Sequence, residues 1–380
     1  MKKRTVVLIG MAVAIGLVFG GVNFALAKVS GQCATCHTMH ASQDGASLGG
    51  PNETLLTKGC VACHTGTNSS TSDPFVLTTT DPGYDPAGVT GKTLAGGNFY
   101  WVSTAGEGKD SSGHNVATDS LSAKDVVIGT SPPGFNAGTD PSSAEWSATQ
   151  LTCSGTNGCH GTRTKADEFA DISGAHHANE TGSQDGTSLA KSYRFLNKIT
   201  GYEDGDYELP ASSGGTAGHN MYSGVDRTDV STLATTGTTI SAFCAQCHGD
   251  FHSGADGATN LGIASGDNVG NSWLRHPTDY DMGNAGGEYV DYNGIGGLVY
   301  SLEAPVGATA TLASSDVVSA GTANGTAIVT CLSCHRAHGS PYADILRWDY
   351  MGKDTGSDGI VAGGGAGNVG CFICHTTKDD

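Results

Sequence analysis

Cys33-Ala34-Thr35-Cys36-His37-Thr38-Met39-His40 is the segment from which the architecture of the whole chain follows. Two cysteines three positions apart, with a histidine directly after the second, form the attachment signature of a c-type haem. Each cysteine sulfur can bind one vinyl group of the porphyrin, and the adjacent histidine then lies under the iron as an axial ligand. The spacing of these residues is therefore set by the chemistry of the cofactor.

The same pattern recurs along the chain, four times in regular form and once in a wider form. The wide motif, Cys153 to His160, has five residues between its cysteines but keeps the histidine after the second. The six motifs account for all 12 cysteines and predict six covalently bound haems c. The predicted haem-binding cysteines are Cys33, Cys36, Cys60, Cys63, Cys153, Cys159, Cys244, Cys247, Cys331, Cys334, Cys371 and Cys374. The predicted proximal iron ligands are His37, His64, His160, His248, His335 and His375.

Disulfides and zinc or iron–sulfur sites are the alternative interpretations of paired cysteines. Neither requires a histidine after the second cysteine, and all six pairs have one, so haem attachment is favoured. For the wide motif, a disulfide between Cys153 and Cys159 that closes a small polar turn remains an open alternative.

The N-terminus has the pattern of a secretory signal. Lys2, Lys3 and Arg4 precede the apolar run from Val6 to Phe19, and Ala25-Leu26-Ala27 is a typical cleavage pattern. We therefore expect a signal peptide over residues 1–27 and a hexahaem cytochrome domain over residues 28–380. The expected location is extracellular or at the cell surface, with the periplasm as the alternative. No later apolar run is long enough to predict a membrane span in the mature chain.

The charge of the chain excludes one class of partner. The formal net charge is −18 and becomes −21 when the three basic residues of the signal are removed. Such an excess of acids opposes nucleic-acid binding, and it also opposes self-association unless other contacts offset the repulsion.

The composition predicts the fold class. With 58 glycines and few large apolar side chains, the polypeptide alone is poor in core-forming residues, whereas six buried porphyrins would supply a large apolar area. We expect a multihaem cytochrome c of mostly coil and loops, with short helices, a few short strands and the haems as the core. The predicted elements are helices from Ser142 or Ser143, over residues 240–248 and from Ser340-Pro341, and a strand over residues 327–330.

Eight further histidines are available as second axial ligands. They are His40, His114, His176, His177, His219, His252, His276 and His338. Mostly bis-histidine ligation is predicted, because the methionines of the mature chain are too few to serve six irons. His40, His252 and His338 follow a proximal histidine by three or four positions, so each is expected one helical turn further along. Such a residue cannot reach the far face of its own haem and must ligate a different one.

The order of these motifs resembles a known family. CATCHTMH at 33–40, FCAQCHGDFH at 243–252, the Leu-Arg-His-Pro segment around His276 and CLSCHRAH at 331–338 are similar, in order, to hexahaem cytochromes that polymerise into extracellular nanowires in metal-reducing bacteria. The wide motif is the departure from that pattern. The resemblance implies a continuous line of bis-histidine haems, with one distal histidine donated by the next subunit.

Three functions are compatible with these features. The leading one is extracellular electron transfer, without catalysis, through a head-to-tail homopolymer that exchanges electrons with other redox cytochromes and external acceptors such as metal oxides. His40 is the expected ligand across the subunit junction, and ligation of the His64 haem in its own chain is the alternative. The other functions are a monomeric periplasmic electron shuttle and a multihaem oxyanion reductase, which would need an open iron position.

The first prediction concerns the number of haems. The secreted protein should have the mass of residues 28–380 plus six covalently bound haems, because every cysteine belongs to a motif pair. Intact mass spectrometry measures this directly. Five haems together with a disulfide at the wide motif would contradict it.

Overall fold

The computed structural model describes part of the chain. The described residues are 32–40, 42–43, 46–47, 55–56, 59–65, 75–84, 93–103, 110–116, 132–135, 151–178, 182–203, 220–226, 237–251, 276, 278–282, 301–309, 327–350 and 370–375. The predicted signal peptide and the predicted helix from Ser142 or Ser143 lie outside these residues.

The helices are short, and most of them are built from the haem motifs. They are α1 (Cys33–Cys36), α2 (Cys60–Cys63), α3 (Glu168–Ile172), α4 (Ile240–Cys244) and α5 (Cys331–Cys334). Single 3₁₀ turns occur at Phe99–Trp101, Asp110–Ser112, Leu189–Lys191, Tyr193–Phe195, Gly249–Phe251, Ala343–Ile345 and Gly370–Ile373. One helical turn brings residues i and i+3 onto the same face, which is what two cysteines on one porphyrin edge require.

The strands form two small pairs and one larger sheet. They are β1 (Ser42–Gln43), β2 (Ala46–Ser47), β3 (Thr152–Ser154), β4 (Gly158–His160), β5 (Gly182–Gln184), β6 (Gly201–Glu203), β7 (Met221–Ser223), β8 (Tyr280–Asp281), β9 (Gly307–Ala308) and β10 (Ala327–Val329). β1 pairs with β2, and β3 pairs in parallel with β4. The larger sheet has the order β5-β6-β7-β9-β10-β8, and all its pairs are antiparallel except β7 with β9.

Cysteines of the haem motifs pack against each of the three buried apolar clusters of the described residues. The largest lies on the sheet around Met221, Val306 and Ala327, and Cys334 and Cys374 pack against it. Cys153 packs against a second cluster, and Cys159 packs against a third. The polypeptide therefore places its few apolar side chains around the haem motifs.

The mostly coil architecture with short elements confirms the predicted fold class, although several predicted elements differ. The strand before Cys331 is present as β10, and α4 begins at Ile240 as predicted but ends at Cys244. The helix predicted from Ser340 is wrong. Residues 340–342 are irregular, and the Ser340 hydroxyl accepts a hydrogen bond from the Tyr342 backbone N–H at 3.2 Å. The Ser340 side chain therefore stabilises a turn and does not cap a helix.

The helical relation expected for the trailing histidines is also wrong. α1 and α5 end at their second cysteine, and the proximal histidines His37 and His335 already have extended backbones. The chain therefore leaves the helix axis at the proximal histidine, so His40 and His338 are not one turn further along the same helix.

The second prediction tests the sheet core. Met221 is fully buried, whereas Met39 is 81% exposed. Met221→Ala should lower the free energy of unfolding by about 2–5 kcal/mol, because it leaves a cavity beside the last two haem motifs. Met39→Ala is the matched control and should change the free energy of unfolding by less than about 0.5 kcal/mol. Equal effects of the two substitutions, measured by chemical denaturation, would contradict the assignment of this core.

Candidate haem sites

Five of the six motif histidines each face one non-motif histidine. The ring centroids are separated by 6.1 Å for His37 and His177, 6.0 Å for His64 and His176, 6.3 Å for His160 and His338, 6.1 Å for His248 and His114, and 6.2 Å for His375 and His276. Each pair combines one predicted proximal ligand with one predicted distal ligand.

The separation of these rings fits a shared metal ion. Two imidazole nitrogens bound about 2 Å on either side of one iron place the ring centroids about 6 Å apart. The angle between the ring planes varies from 21° to 89° among the five pairs. Direct ring stacking would favour particular angles. A constant separation with a variable angle is the geometry of two rings that can rotate about a common N–Fe–N axis.

The hydrogen bonds of the proximal rings leave the other nitrogen for iron. Nδ1 of His160 lies 2.8 Å from the Arg194 carbonyl, and Nδ1 of His335 lies 2.6 Å from the Asp344 carbonyl. His248 has the same arrangement with Pro133, at 2.6 Å. A carbonyl can only accept, so Nδ1 carries the proton and Nε2 is free to bind a metal.

The carbonyls that orient His160 and His335 belong to strained turns. Arg194 and Asp344 have left-handed backbones, with φ of 49° and 59°. The next residues, Phe195 and Ile345, are also left-handed, at 58° and 57°. Consecutive non-glycine residues in this region are costly, and such strain concentrates at functional sites.

The same turns hold the residue that follows each proximal histidine. The N–H of Gly161 donates to the Phe195 carbonyl at 2.8 Å, and that of Arg336 donates to the Ile345 carbonyl at 2.8 Å. At the first motif, the Thr38 N–H donates at 2.7 Å to the carbonyl of Leu55, which is left-handed as well. These turns were missed by sequence reasoning. Their common signal is an apolar residue followed by leucine, at 55–56, 195–196 and 345–346.

Burial keeps the distal rings in the form that binds iron. Burial lowers the pKa of His338 to about 3 and that of His176 to about 4. Both imidazoles are therefore neutral at physiological pH. Neutral imidazole is the form of histidine that ligates metals.

The wide motif brings its cysteines together in a different way from the regular motifs. Cys153 lies in β3 and Cys159 in β4, and the parallel register pairs Thr152 with Gly158 and Ser154 with His160. The two cysteines are therefore neighbours across the strand pair, where strands lie about 4.8 Å apart. Residues i and i+3 of a helix are separated by about 5–6 Å. The strand pair thus reproduces the spacing that a helical turn gives the regular motifs.

Asp171 holds the loops of the wide motif. The Thr162 hydroxyl donates to its carboxylate at 2.6 Å, and five further donors reach it from inside the motif and from the segment that follows it. These are the Ser154 hydroxyl and the backbone N–H groups of Gly155, Arg163, Thr164 and Lys165. Burial acts to raise the pKa of Asp171, but the hydrogen bonds outweigh it and the pKa is lowered. Asp171 was not identified from the sequence, because an acid in a short helix has no distinctive pattern.

Successive motifs lie next to one another in chain order. The rings of His176 and His177, which face the first two proximal histidines, are 6.1 Å apart. The second and third motifs meet where the sulfurs of Cys60 and Cys153 and a carboxylate oxygen of Glu168 lie within 4.8 Å of one another. Such a cluster could hold a metal ion, but both sulfurs belong to predicted haem-attachment motifs, so haem is their expected partner.

The later motifs continue the line. Arg163, after the third motif, donates to the side chain of Gln246 inside the fourth. The Cys331 N–H donates to the Ser241 hydroxyl of α4 at 3.3 Å, which joins the fourth and fifth motifs. Cys334 and Cys374 pack on the same apolar cluster, which joins the fifth and sixth. The structure therefore orders the motifs in space as they are ordered in the sequence.

The three remaining candidate distal ligands do not face a motif histidine within the described residues. His40 is exposed, and His219 and His252 lie outside the described residues. None of the 12 cysteines forms a disulfide, including Cys153 and Cys159. The residues fit haem c, which the cysteine pairs and the facing histidines would hold.

The third prediction concerns Asp171. Asp171→Asn should destabilise the protein by about 2 kcal/mol or more, because an amide oxygen cannot replace the charged acceptor. Mass spectrometry should show a population with five haems. The pKa of the Asp171 carboxyl is lower in the folded protein than in the unfolded chain, where it is about 4. The wild-type carboxylate therefore stabilises the fold above that unfolded pKa. This stabilisation is lost as the pH falls through the pKa of the folded state.

Asp185→Asn is the control for this experiment. Asp185 is exposed and accepts hydrogen bonds only from Thr187 among the described residues. Its substitution should leave six haems in place. Full haem loading and unchanged stability in Asp171→Asn would show that Asp171 does not hold the wide motif.

Comparisons with known proteins identify related sequences. Residues 323–380 match the family model described as a doubled CXXCH motif. The chain is 28% identical to the C-type cytochrome OmcS of Geobacter sulfurreducens over 395 aligned positions, which cover 92% of this chain and 86% of that protein. This match confirms the relationship that the motif order predicts.

Solved structures give a weaker likeness. An outer membrane cytochrome S filament from Geobacter sulfurreducens aligns with a TM-score of 0.45 at 19% identity, over 86% of this chain and 85% of that one. A cryo-EM structure of OmcS nanowires from the same organism aligns with a TM-score of 0.43 at 21% identity, over 84% of each chain. No helix within the described stretches is long and apolar enough to cross a membrane. The six haem motifs, the facing histidine pairs and the sequence match together support homology of this chain to the C-type cytochrome OmcS.

Proposed function

We propose that this protein transfers electrons outside the cell along a line of six bis-histidine haems c, in a head-to-tail filament of identical subunits. The observation that carries the proposal is the contact between successive motifs, from the first to the sixth. Electron transfer between haems requires that neighbouring cofactors lie close together. Here each motif is held against the next by a hydrogen bond, a facing ring or a shared apolar cluster.

The paired histidines favour electron transfer over catalysis. Bound haem iron supplies a one-electron change between its ferric and ferrous states. A ring on each side would fill both axial positions, so an oxyanion would find no open position at the five paired sites. The hydrogen bonds from Nδ1 to carbonyls fix the rings, which limits reorganisation when the charge changes. Bis-histidine ligation also predicts low reduction potentials, because the thioether of methionine is absent.

The fifth motif, whose proximal histidine is His335, supports the subunit contact. His335 is the one proximal histidine without a facing histidine ring among the described residues. His40 is exposed and outside all five facing pairs. The alternative in which His40 serves the His64 haem is disfavoured, because the ring of His176 already faces His64. We therefore propose that His40 ligates the His335 haem of the neighbouring subunit.

The surroundings of His40 suit an interface. Met39 is 81% exposed and Leu55 is 41% exposed, so two large apolar side chains flank the first motif at the surface. A neighbouring subunit would remove this apolar area from water. A ligand donated from one end of the chain to the other is a heterologous contact, and such contacts propagate as filaments when they do not close into rings.

Export and polymerisation distinguish the proposal from a monomeric periplasmic shuttle. The shuttle would use the same haems and the same facing pairs, and it would leave the His335 haem to a histidine of its own chain. Other redox cytochromes and external acceptors such as metal oxides are the proposed exchange partners of the filament.

The fourth prediction concerns the subunit contact. His40→Ala should yield secreted protein that keeps six haems but stays monomeric, because its cysteines are intact and the ligand across the junction is lost. One iron per chain should lose its bis-histidine spectrum. Electron microscopy, intact mass and electron paramagnetic resonance measure the three outcomes.

His219→Ala and His252→Ala are the controls, because His219 and His252 are the other two candidate ligands for the His335 haem. Neither should prevent filament formation. Normal filaments from His40→Ala would refute ligation across the junction. Loss of one bis-histidine spectrum in His219→Ala, with the spectrum of His40→Ala unchanged, would refute it as well. Either result would leave the shuttle as the better interpretation.

A further inference from the structure

Gly96 lies directly against the distal ring of the third motif. A methyl group at Gly96, in the position it has in alanine, would lie 2.8 Å from Nδ1 and 2.9 Å from Cε1 of His338. The third-nearest atom, Cγ at 3.5 Å, belongs to the same ring. Ordinary van der Waals contacts begin at 3.4 Å. Position 96 therefore has no room for a side chain while the ring stays in place.

The obstacle at Gly96 is the ring and not the backbone. Gly96 is not among the glycines with a positive φ, so alanine could adopt its backbone conformation. Gly97 differs, because its φ is 85° and a methyl group there would collide with the Gly339 carbonyl oxygen. A substitution at Gly97 would disturb the backbone, whereas one at Gly96 would act on the His338 ring.

The backbone that carries this ring is held on two sides. The His338 N–H donates to the Gly96 carbonyl at 2.7 Å, and the His338 carbonyl accepts from the His114 N–H at 3.2 Å. The next residue, Gly339, forms a bridge with Gly97. The chain at His338 is thus fixed between two segments, so a larger residue 96 would displace the ring.

The ring has little freedom to move aside. Its centroid lies 4.9 Å from that of Phe99, with 36° between the planes, and 6.3 Å from that of His160. Relief of the contact from 2.8 to 3.4 Å requires a shift of about 0.6 Å. A ligand must be held within about 0.5 Å of its productive position. The displaced ring would therefore no longer face His160 in the geometry of a shared iron.

We propose that Gly96 is a positioning residue of the third haem site, where its lack of a side chain lets the His338 ring reach the iron axis of His160. The inference rests on the proposed function, because it requires His338 to be the distal ligand of the His160 haem. The distal side of a haem decides between electron transfer and the binding of an external ligand. One methyl group at position 96 would thus convert an electron-transfer haem into a ligand-binding haem.

The distal ring of the fourth motif is held in a different way. Nδ1 of His114 lies 2.7 Å from the Ala337 carbonyl, and the His114 ring faces His248. This hydrogen bond does not involve Gly96. The fourth site should therefore keep both of its axial ligands when Gly96 is replaced.

Gly96→Ala is the fifth prediction. Intact mass should show six haems, because the cysteines are unchanged. One iron of the six should lose its low-spin signal in electron paramagnetic resonance, and the reduced protein should bind about one carbon monoxide per chain, whereas the wild type should bind none. His338→Ala should give the same spectrum. The double variant should show no further loss, because both substitutions remove one ligand from the same iron.

Gly59→Ala is the matched control. Gly59 directly precedes Cys60 of the second motif, has a φ of −70°, and has open space where the methyl group would lie. Its substitution should leave all six irons low-spin and should permit no binding of carbon monoxide.

Six low-spin irons in Gly96→Ala, with one lost in His338→Ala, would overturn the inference and leave the proposed function standing. Six low-spin irons in His338→Ala would instead overturn the ligation of the third haem by His338, and the inference with it. Where a variant fails to fold, a cryo-EM structure of the loaded wild-type protein decides the matter. An iron-bound His338 ring out of contact with Gly96 in that structure would overturn the inference.

Discussion

The distance between two imidazole rings on one iron sets the arrangement of the five histidine pairs. Five motif histidines face a second histidine at 6.0–6.3 Å, and the chain between them is shaped to meet that distance. The partners come from distant parts of the sequence, as with His37 and His177. The 58 glycines of the sequence suit this task, because glycine permits backbone conformations that other residues avoid. The sheet then packs the few large apolar residues beside the last two motifs, where Cys334 and Cys374 share one cluster.

Rigidity is concentrated at the proximal side of the sites. The helices α1, α2 and α5 end directly before the proximal histidine. At the first, third and fifth sites, a left-handed turn from elsewhere in the chain accepts a hydrogen bond from the residue after that histidine. The strain at Phe195 and Ile345 is stabilised by backbone hydrogen bonds and by packing. Asp171 has a related role at the wide motif, where six donors converge on one carboxylate. These devices hold the imidazoles still without many regular elements.

The sequence predicts the haem motifs, because the spacing of the cysteines and the histidine follows directly from covalent chemistry. It also predicts that enough histidines are present to serve as second axial ligands, and that the fold is mostly coil. It does not predict which distal histidine serves which motif. His176 and His177 are adjacent in sequence yet face different proximal rings, and that choice depends on the path of the whole chain. The helix predicted from Ser340 fails for a similar reason: the carbonyls of Asp344 and Ile345 are needed to hold the fifth motif, and this tertiary demand overrides the local signal of serine followed by proline. The arrangement of the wide motif as a strand pair is equally invisible from its spacing.

The strand pair of the wide motif affects how such proteins are counted. A search of genomes for two cysteines with two intervening residues and a following histidine would assign five cofactors to this chain and would leave a gap in the middle of its line. A conductor with such a gap would be judged broken, and the protein would be classed as two separate groups of haems. The parallel register of β3 and β4 places Cys153 and Cys159 side by side, so a strand pair can bring two cysteines together as a helical turn does in the regular motifs. Inventories of respiratory proteins drawn from the regular motif alone would miss sites of this kind.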